Sequence, residues 1–194
     1  MTRASGPRRS IAFVMWLLAS SIAVAQSPPQ APGGSPHRPW VGFGGGWGNV
    51  ASTTTEGPDV LLGATLEVPI APVAGVRLSA ERIWSSTRDA GAVSLRQLSA
   101  DLMLRRTLAT TGSCASQFVV GVGAGLYAFS VESTSLDDPT RLGYQVSAGV
   151  DCVGGRVTIG GAFGFRFIDA PHHEAFSSDG VIAPSATLAI RIRL

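Results

Sequence analysis

Polarity alternates with a period of two along most of the chain after residue 39, and no other property narrows the possible folds so far. From Val76 to Ser86, the residues Val76, Leu78, Ala80 and Trp84 share one parity while Arg77, Ser79 and Glu81 take the other. Successive side chains of an extended strand point to opposite faces, so the segment is a β-strand with one apolar and one polar face. The same phase sets Glu67, Arg77, Glu81, Asp101, Arg105, Asp151, Arg156, Arg166, Arg191 and Arg193 opposite leucine, valine, isoleucine and phenylalanine. A membrane barrel turns such charges inward and its apolar face to lipid. A soluble barrel does the reverse, and both produce this alternation.

The amino-terminal end bears on that choice. Arg3, Arg8 and Arg9 precede an apolar run from Ile11 to Ala19, and the small residues Ala23, Val24 and Ala25 follow. This reads as a secretory signal peptide over 1–25, cleaved before Gln26. A membrane-spanning helix is the competing reading, but Ile11 to Ala25 falls short of the roughly 20 residues that a hydrocarbon core requires. Residues 26–39, rich in Pro, Gly, Gln and Ser, bury no core and form a periplasmic tether. Residues 40–194 are one domain without a composition break. The formal charge of +2 includes the three signal-peptide arginines, so the mature chain is near neutral and no nucleic-acid partner is expected.

The alternation predicts eight strands: Trp40 to Ala51, Asp59 to Ile70, Val76 to Ser86, Val93 to Leu108, Gln117 to Val131, Arg141 to Val153, Arg156 to Ile168, and Val181 to Leu194. Each reaches the roughly 9 to 11 residues that a tilted strand needs to cross a bilayer. Connections after the even-numbered strands are short (Ala71 to Gly75, Ala109 to Ser116, Gly154 and Gly155), and the others are polar and mostly longer. Arg82, Arg96 and Arg106 break the parity, but near strand ends, where a long side chain reaches headgroups. Glycines fill much of the polar face: Gly42, Gly44, Gly46 and Gly48, then Gly121, Gly123 and Gly125, then Gly160 and Gly164. They leave volume inside a narrow barrel for the charged side chains of other strands, although one or two of them can equally mark bulges.

Thr187, Ala189, Ile192 and Leu194 resemble the carboxy-terminal assembly signal of bacterial outer-membrane barrels, with Ala189 where glycine is usual and Leu194 where an aromatic residue is usual. With the signal peptide and strand layout, residues 40–194 resemble the small OmpA/OmpX-like eight-stranded family. The resemblance implies an all-β fold, an eight-stranded antiparallel up-and-down transmembrane β-barrel in the outer membrane of a Gram-negative bacterium. It implies outer-membrane lipid and lipopolysaccharide as surroundings, the barrel-assembly machinery as partner during insertion, and a monomer. It does not name a function, since one scaffold serves many.

Inside such a barrel the hairpin after the second strand brings Glu67 near Arg77, and the next brings Glu81 toward Asp101 with Arg105 further along. The expected arrangement is a structural plug in which Arg77, Arg105 and Arg191 bridge Glu67, Glu81, Asp101 and Asp151, because unpaired charges in so narrow a space are costly. A looser, watered interior with transient pairs is the alternative. Cys114 and Cys152 share the outward parity at the short-turn rim of neighbouring strands, and the oxidising periplasm favours a disulfide over two isolated thiols. His172, His173 and Glu174, and likewise Asp137 and Asp138, read as polar loop residues and not as a metal site. No cofactor is expected. No histidine falls within a predicted strand, which leaves a catalytic nucleophile without a base, so the chain is expected not to be an enzyme. A structural or envelope-maintaining role is the leading expectation. Surface binding by the long loops, or less readily lipid A modification, is the alternative.

Overall fold

The computed structural model describes residues 38–50, 59–87, 91–132, 140–169 and 180–194. Its strands are β1 (Trp40–Gly48), β2 (Val60–Ala71), β3 (Ala74–Thr87), β4 (Gly91–Thr111), β5 (Cys114–Val131), β6 (Thr140–Gly154), β7 (Val157–Ile168) and β8 (Val181–Arg193). Each pairs antiparallel with the next, and β8 pairs with β1 to close the ring in chain order. Closure leaves no strand edge open, which is the condition for a sheet to sit in hydrocarbon. The expected signal peptide, the tether up to His37, Asp137, Asp138, His172, His173 and Glu174 lie outside the described residues.

Three hairpins turn on two residues each: Pro72 and Val73, Gly112 and Ser113, Gly155 and Arg156. Gly112 and Gly155 both have φ of 58°, the left-handed geometry that tight hairpin turns require at their first central position. The hairpin at Gly112 corrects the sequence reading, which ended the strands at Leu108 and Gln117. The ladder instead continues past a bulge at Leu108 through Ala109↔Ser116, Thr110↔Ala115 and Thr111↔Cys114. Threonine suits a strand, and one glycine suffices to reverse the chain, so a polar segment that looks like a loop is a paired ribbon. Residues 108–113 are exposed on both faces, so its tip stands clear of the barrel wall. The first strand also stops earlier than expected, at Gly48.

The faces of the barrel settle the question that alternation left open. Phe43, Leu142, Tyr144 and Leu188 are all at least 70 % exposed, whereas Glu67 is 1 % exposed and Asp151, Arg166 and Arg191 are 5 % exposed. Soluble monomers rarely expose apolar patches beyond a few hundred Å², and this belt runs round the whole ring. Arg96 and Arg106 stand ten positions apart on the outward face of β4, with only Leu98, Ala100, Leu102 and Leu104 between them on that face. Ten residues span about 34 Å of strand, or about 25 Å along the axis of a barrel tilted near 40°, which is the height of an apolar membrane band. The two arginines therefore mark its upper and lower limits.

The lumen has two sections. At the short-turn end it is ionic. Toward the long-loop end the same inward parity carries Val50, Leu61, Ile83, Val93, Leu95, Tyr127, Phe129, Val131, Ile168, Val181 and Ala183, which form a buried apolar cluster. The sequence reading expected a polar interior throughout. At Leu61 both faces are apolar and the alternation vanishes, and at Ile83 and Leu95 it inverts, with Arg82 and Arg96 outward, so only the closed ring reveals which face is the core.

Candidate functional site

The ionic section of the lumen is built around Glu67, on β2. Its Oε2 accepts hydrogen bonds from Arg77 Nε at 3.1 Å and Nη2 at 2.9 Å, and from Arg191 Nη1 at 3.4 Å. Its Oε1 accepts from Arg105 Nη2. Arg191 in turn donates through Nη2 to Asp151 on β6. Glu67 and Arg77 are cross-strand partners, but Arg105 and Arg191 arrive from strands two removed on either side. One carboxylate thus gathers three guanidiniums that only a closed ring brings within reach.

A second cluster lies beside the first. Arg166 on β7 pairs with Glu81 on β3, four strands away and so directly across the barrel, and its Nε donates to Gln97 Oε1. Gln97 Nε2 donates to Ser99 Oγ at 2.9 Å and to Gln145 Oε1 at 2.7 Å. Gln145 Nε2 donates to Ser99 Oγ at 3.0 Å and also to Asp101, while Tyr127 Oη donates to Gln145 Oε1 at 3.1 Å. The four carboxylates of Glu67, Glu81, Asp101 and Asp151 face the four guanidiniums of Arg77, Arg105, Arg166 and Arg191, so this part of the lumen balances in charge.

Of the residues expected to meet, Glu67, Arg77, Arg105, Arg191 and Asp151 form one connected set. The other two find different partners. Glu81 is held by Arg166 and not by one of the three expected arginines, and Asp101 by the Gln145 amide, although Arg77 is its cross-strand neighbour. Arg77 turns instead to Glu67 across the β2–β3 pair. Gln97, Ser99, Tyr127 and Gln145 escaped the sequence reading altogether. Their inward parity was the available signal, but uncharged residues attract little notice without a known partner.

Glycine makes the room for these groups. A Cβ added at Gly123 would fall on the Asp101 carboxylate, and one added at Gly160 on that of Asp151. A cavity of about 40 Å³ in the ionic section is bordered by Thr65, Arg77, Asp151 and Arg191. That volume suits a few water molecules at most.

At the short-turn rim, Cys114 and Cys152 form a disulfide with Cα atoms 5.5 Å apart. Cys152 opposes Ser116, so the bond links diagonal positions of β5 and β6 on the outer face. It closes a 38-residue separation that contains the whole hairpin. Replacing both cysteines with serine is expected to lower unfolding free energy by about 2–4 kcal/mol. Urea titration of the barrel in lipid vesicles, with and without reductant, measures this; a reductant effect that persists in the double variant would refute the assignment. Among the described residues, no group of three potential metal-ligating side chains comes together.

No family model matches this chain, and comparison with curated proteins finds no relative. Solved structures do resemble it. The crystal structure of Neisserial surface protein A is 15 % identical, with a TM-score of 0.60 over 80 % of this chain and 97 % of that one. The outer membrane enzyme PagL is also 15 % identical, with a TM-score of 0.50 over 80 % of this chain and 99 % of that one. Likeness at such identity is likeness of fold: an eight-stranded up-and-down transmembrane barrel, shared by a surface protein and by an enzyme.

Proposed function

We propose that this chain is a small integral outer-membrane protein of a Gram-negative bacterium, with a structural or envelope-maintaining role and a closed, non-catalytic lumen. The observation that carries this reading is the inverted polarity of the barrel. An apolar belt faces outward, and within it an ion-paired section and an apolar section fill the lumen. In this reading residues 1–25 direct export, the barrel-assembly machinery inserts the mature chain as a monomer, and the long loops face outward. None of the described strands carries a histidine, so no serine or threonine on them has a histidine base on its own strand, which supports the non-catalytic reading.

Two measurements test it. Membrane fractionation is expected to recover the mature protein in the outer membrane, extracted only by detergent and with heat-modified gel mobility. Purified barrel in planar bilayers is expected to give no single-channel steps, since ion pairs reach across the lumen in its ionic section. Recovery in the soluble fraction refutes the membrane role, and steady conductance by the unmodified barrel refutes the closed lumen. A changed acyl pattern of lipid A in cells carrying the gene would favour an enzyme instead.

A further inference from the structure

The lipid-facing wall carries one rung that a bilayer interior would not tolerate. Arg82 on β3 and Arg96 on β4 are direct cross-strand partners on the outward face. Like charges set opposite each other on one face destabilise a sheet. Among the described residues, neither guanidinium has a carboxylate in ion-pair reach, and the buried Nε of Arg82 has no hydrogen-bond partner. Glu132, the nearest described acid along β5 toward the loops, accepts instead from Ala92 N. The guanidinium of Arg82 lies 4.8 Å from the ring centroid of Trp84, which places an aromatic at the same upper limit of the apolar band.

The wall beneath this rung is apolar and hollow. In register, the next outward rungs are Ala80, Leu98, Leu126 and Leu142, then Leu78, Ala100, Ala124 and Tyr144. The small side chains of Ala100 and Ala124 lie side by side among leucines and leave an open depression of about 410 Å³, lined by Leu78, Leu98, Ala100, Ala124, Leu126 and Leu142. From loop end toward membrane centre the same strands present two cations without a carboxylate partner among the described residues and then an apolar groove, which is the polarity order of an acylated anion. Two planar guanidiniums pair bidentately with phosphate oxygens, and two positive charges match a phosphate monoester better than a singly charged diester.

We propose that the outer wall of β3–β6 binds an acylated lipid bearing a phosphate monoester, with the phosphate on Arg82 and Arg96 and an acyl chain in the depression between Leu98 and Leu126. This rests on the outer-membrane reading, in which that end of the barrel lies in the outer leaflet.

The test reconstitutes the full mature barrel in phosphatidylcholine nanodiscs doped equally with bisphosphorylated lipid A and phosphatidylglycerol. The lipid kept after transfer to mild detergent is then quantified by mass spectrometry. Lipid A is expected to be enriched about tenfold over phosphatidylglycerol, and R82Q/R96Q is expected to return both to the bulk ratio. A100L/A124L, which fills the groove and leaves both arginines in place, is expected to reduce lipid A retention severalfold. Heat-modified mobility of each variant reports folding. A folded, inserted barrel that retains both lipids alike, or whose R82Q/R96Q form retains lipid A unchanged, overturns this inference and leaves the membrane role standing. A barrel that does not enter nanodiscs overturns both.

Discussion

Replacing Glu67 with alanine is expected to destabilise the barrel by about 3–5 kcal/mol, the cost of leaving buried charges without their partner. The magnitude follows from the position of the residue. Glu67 is 1 % exposed and is the shared acceptor for Arg77, Arg105 and Arg191. Among the described residues, only Arg191 of those three reaches another carboxylate, that of Asp151. Guanidiniums do not shed their charge at neutral pH, so the variant holds uncompensated cations in the buried section around residue 67. Glu67→Gln retains the size and an acceptor and isolates the charge. Its loss is expected to be smaller but in the same direction. Adding Arg105→Ala to the alanine variant is expected to restore part of the stability, because it removes one orphaned cation. Unfolding by urea in lipid vesicles, followed by tryptophan fluorescence, gives all three values. A loss below about 1 kcal/mol for Glu67→Ala would mean that the lumen is wet and its ions screened, as on a protein surface.

Leu102→Arg is the second large effect, and it tests the outside of the barrel as Glu67 tests the inside. Leu102 is outward, 42 % exposed, and close to midway between Arg96 and Arg106 on β4. An arginine at the middle of the apolar band costs about 2–4 kcal/mol, whereas near either interface the cost falls to about 0–1 kcal/mol. Leu104→Arg, two positions nearer Arg106, is therefore expected to cost less than Leu102→Arg. Equal and negligible costs at both positions would mean that this face meets water, and the membrane orientation would be lost with that result.

Much of the architecture was legible from residue order. Side chains alternate strictly along a strand, so one reading of parity assigns faces to many residues at once, and Leu98, Leu102, Phe165 and Ile190 stand outward as that parity requires. The alternation of short and long connections was also legible, since glycine and proline mark tight turns. The hairpin at Gly112 was misread because threonine and serine suit both loops and strands. The upper lumen was missed because Leu61 has apolar neighbours on both faces and carries no period, while at Ile83 and Leu95 the alternation inverts, with Arg82 and Arg96 on the outward face beside inward apolar side chains.

The candidate site divides in the same way. That Glu67, Arg77, Glu81, Asp101, Arg105, Asp151, Arg166 and Arg191 share the inward face is a local property, carried by each strand separately. Who meets whom is not local. Arg166 reaches Glu81 across the full width of the ring, and Arg191 reaches Glu67 only because β8 closes on β1. Likewise parity identifies Arg82 and Arg96 as outward, but strand register alone places them side by side. The amino-acid order determined orientation, because the pleat repeats every two residues whatever surrounds it. Closure and register decided partnership, because these contacts join residues up to 124 positions apart, and no periodicity in a chain encodes the distance across a ring.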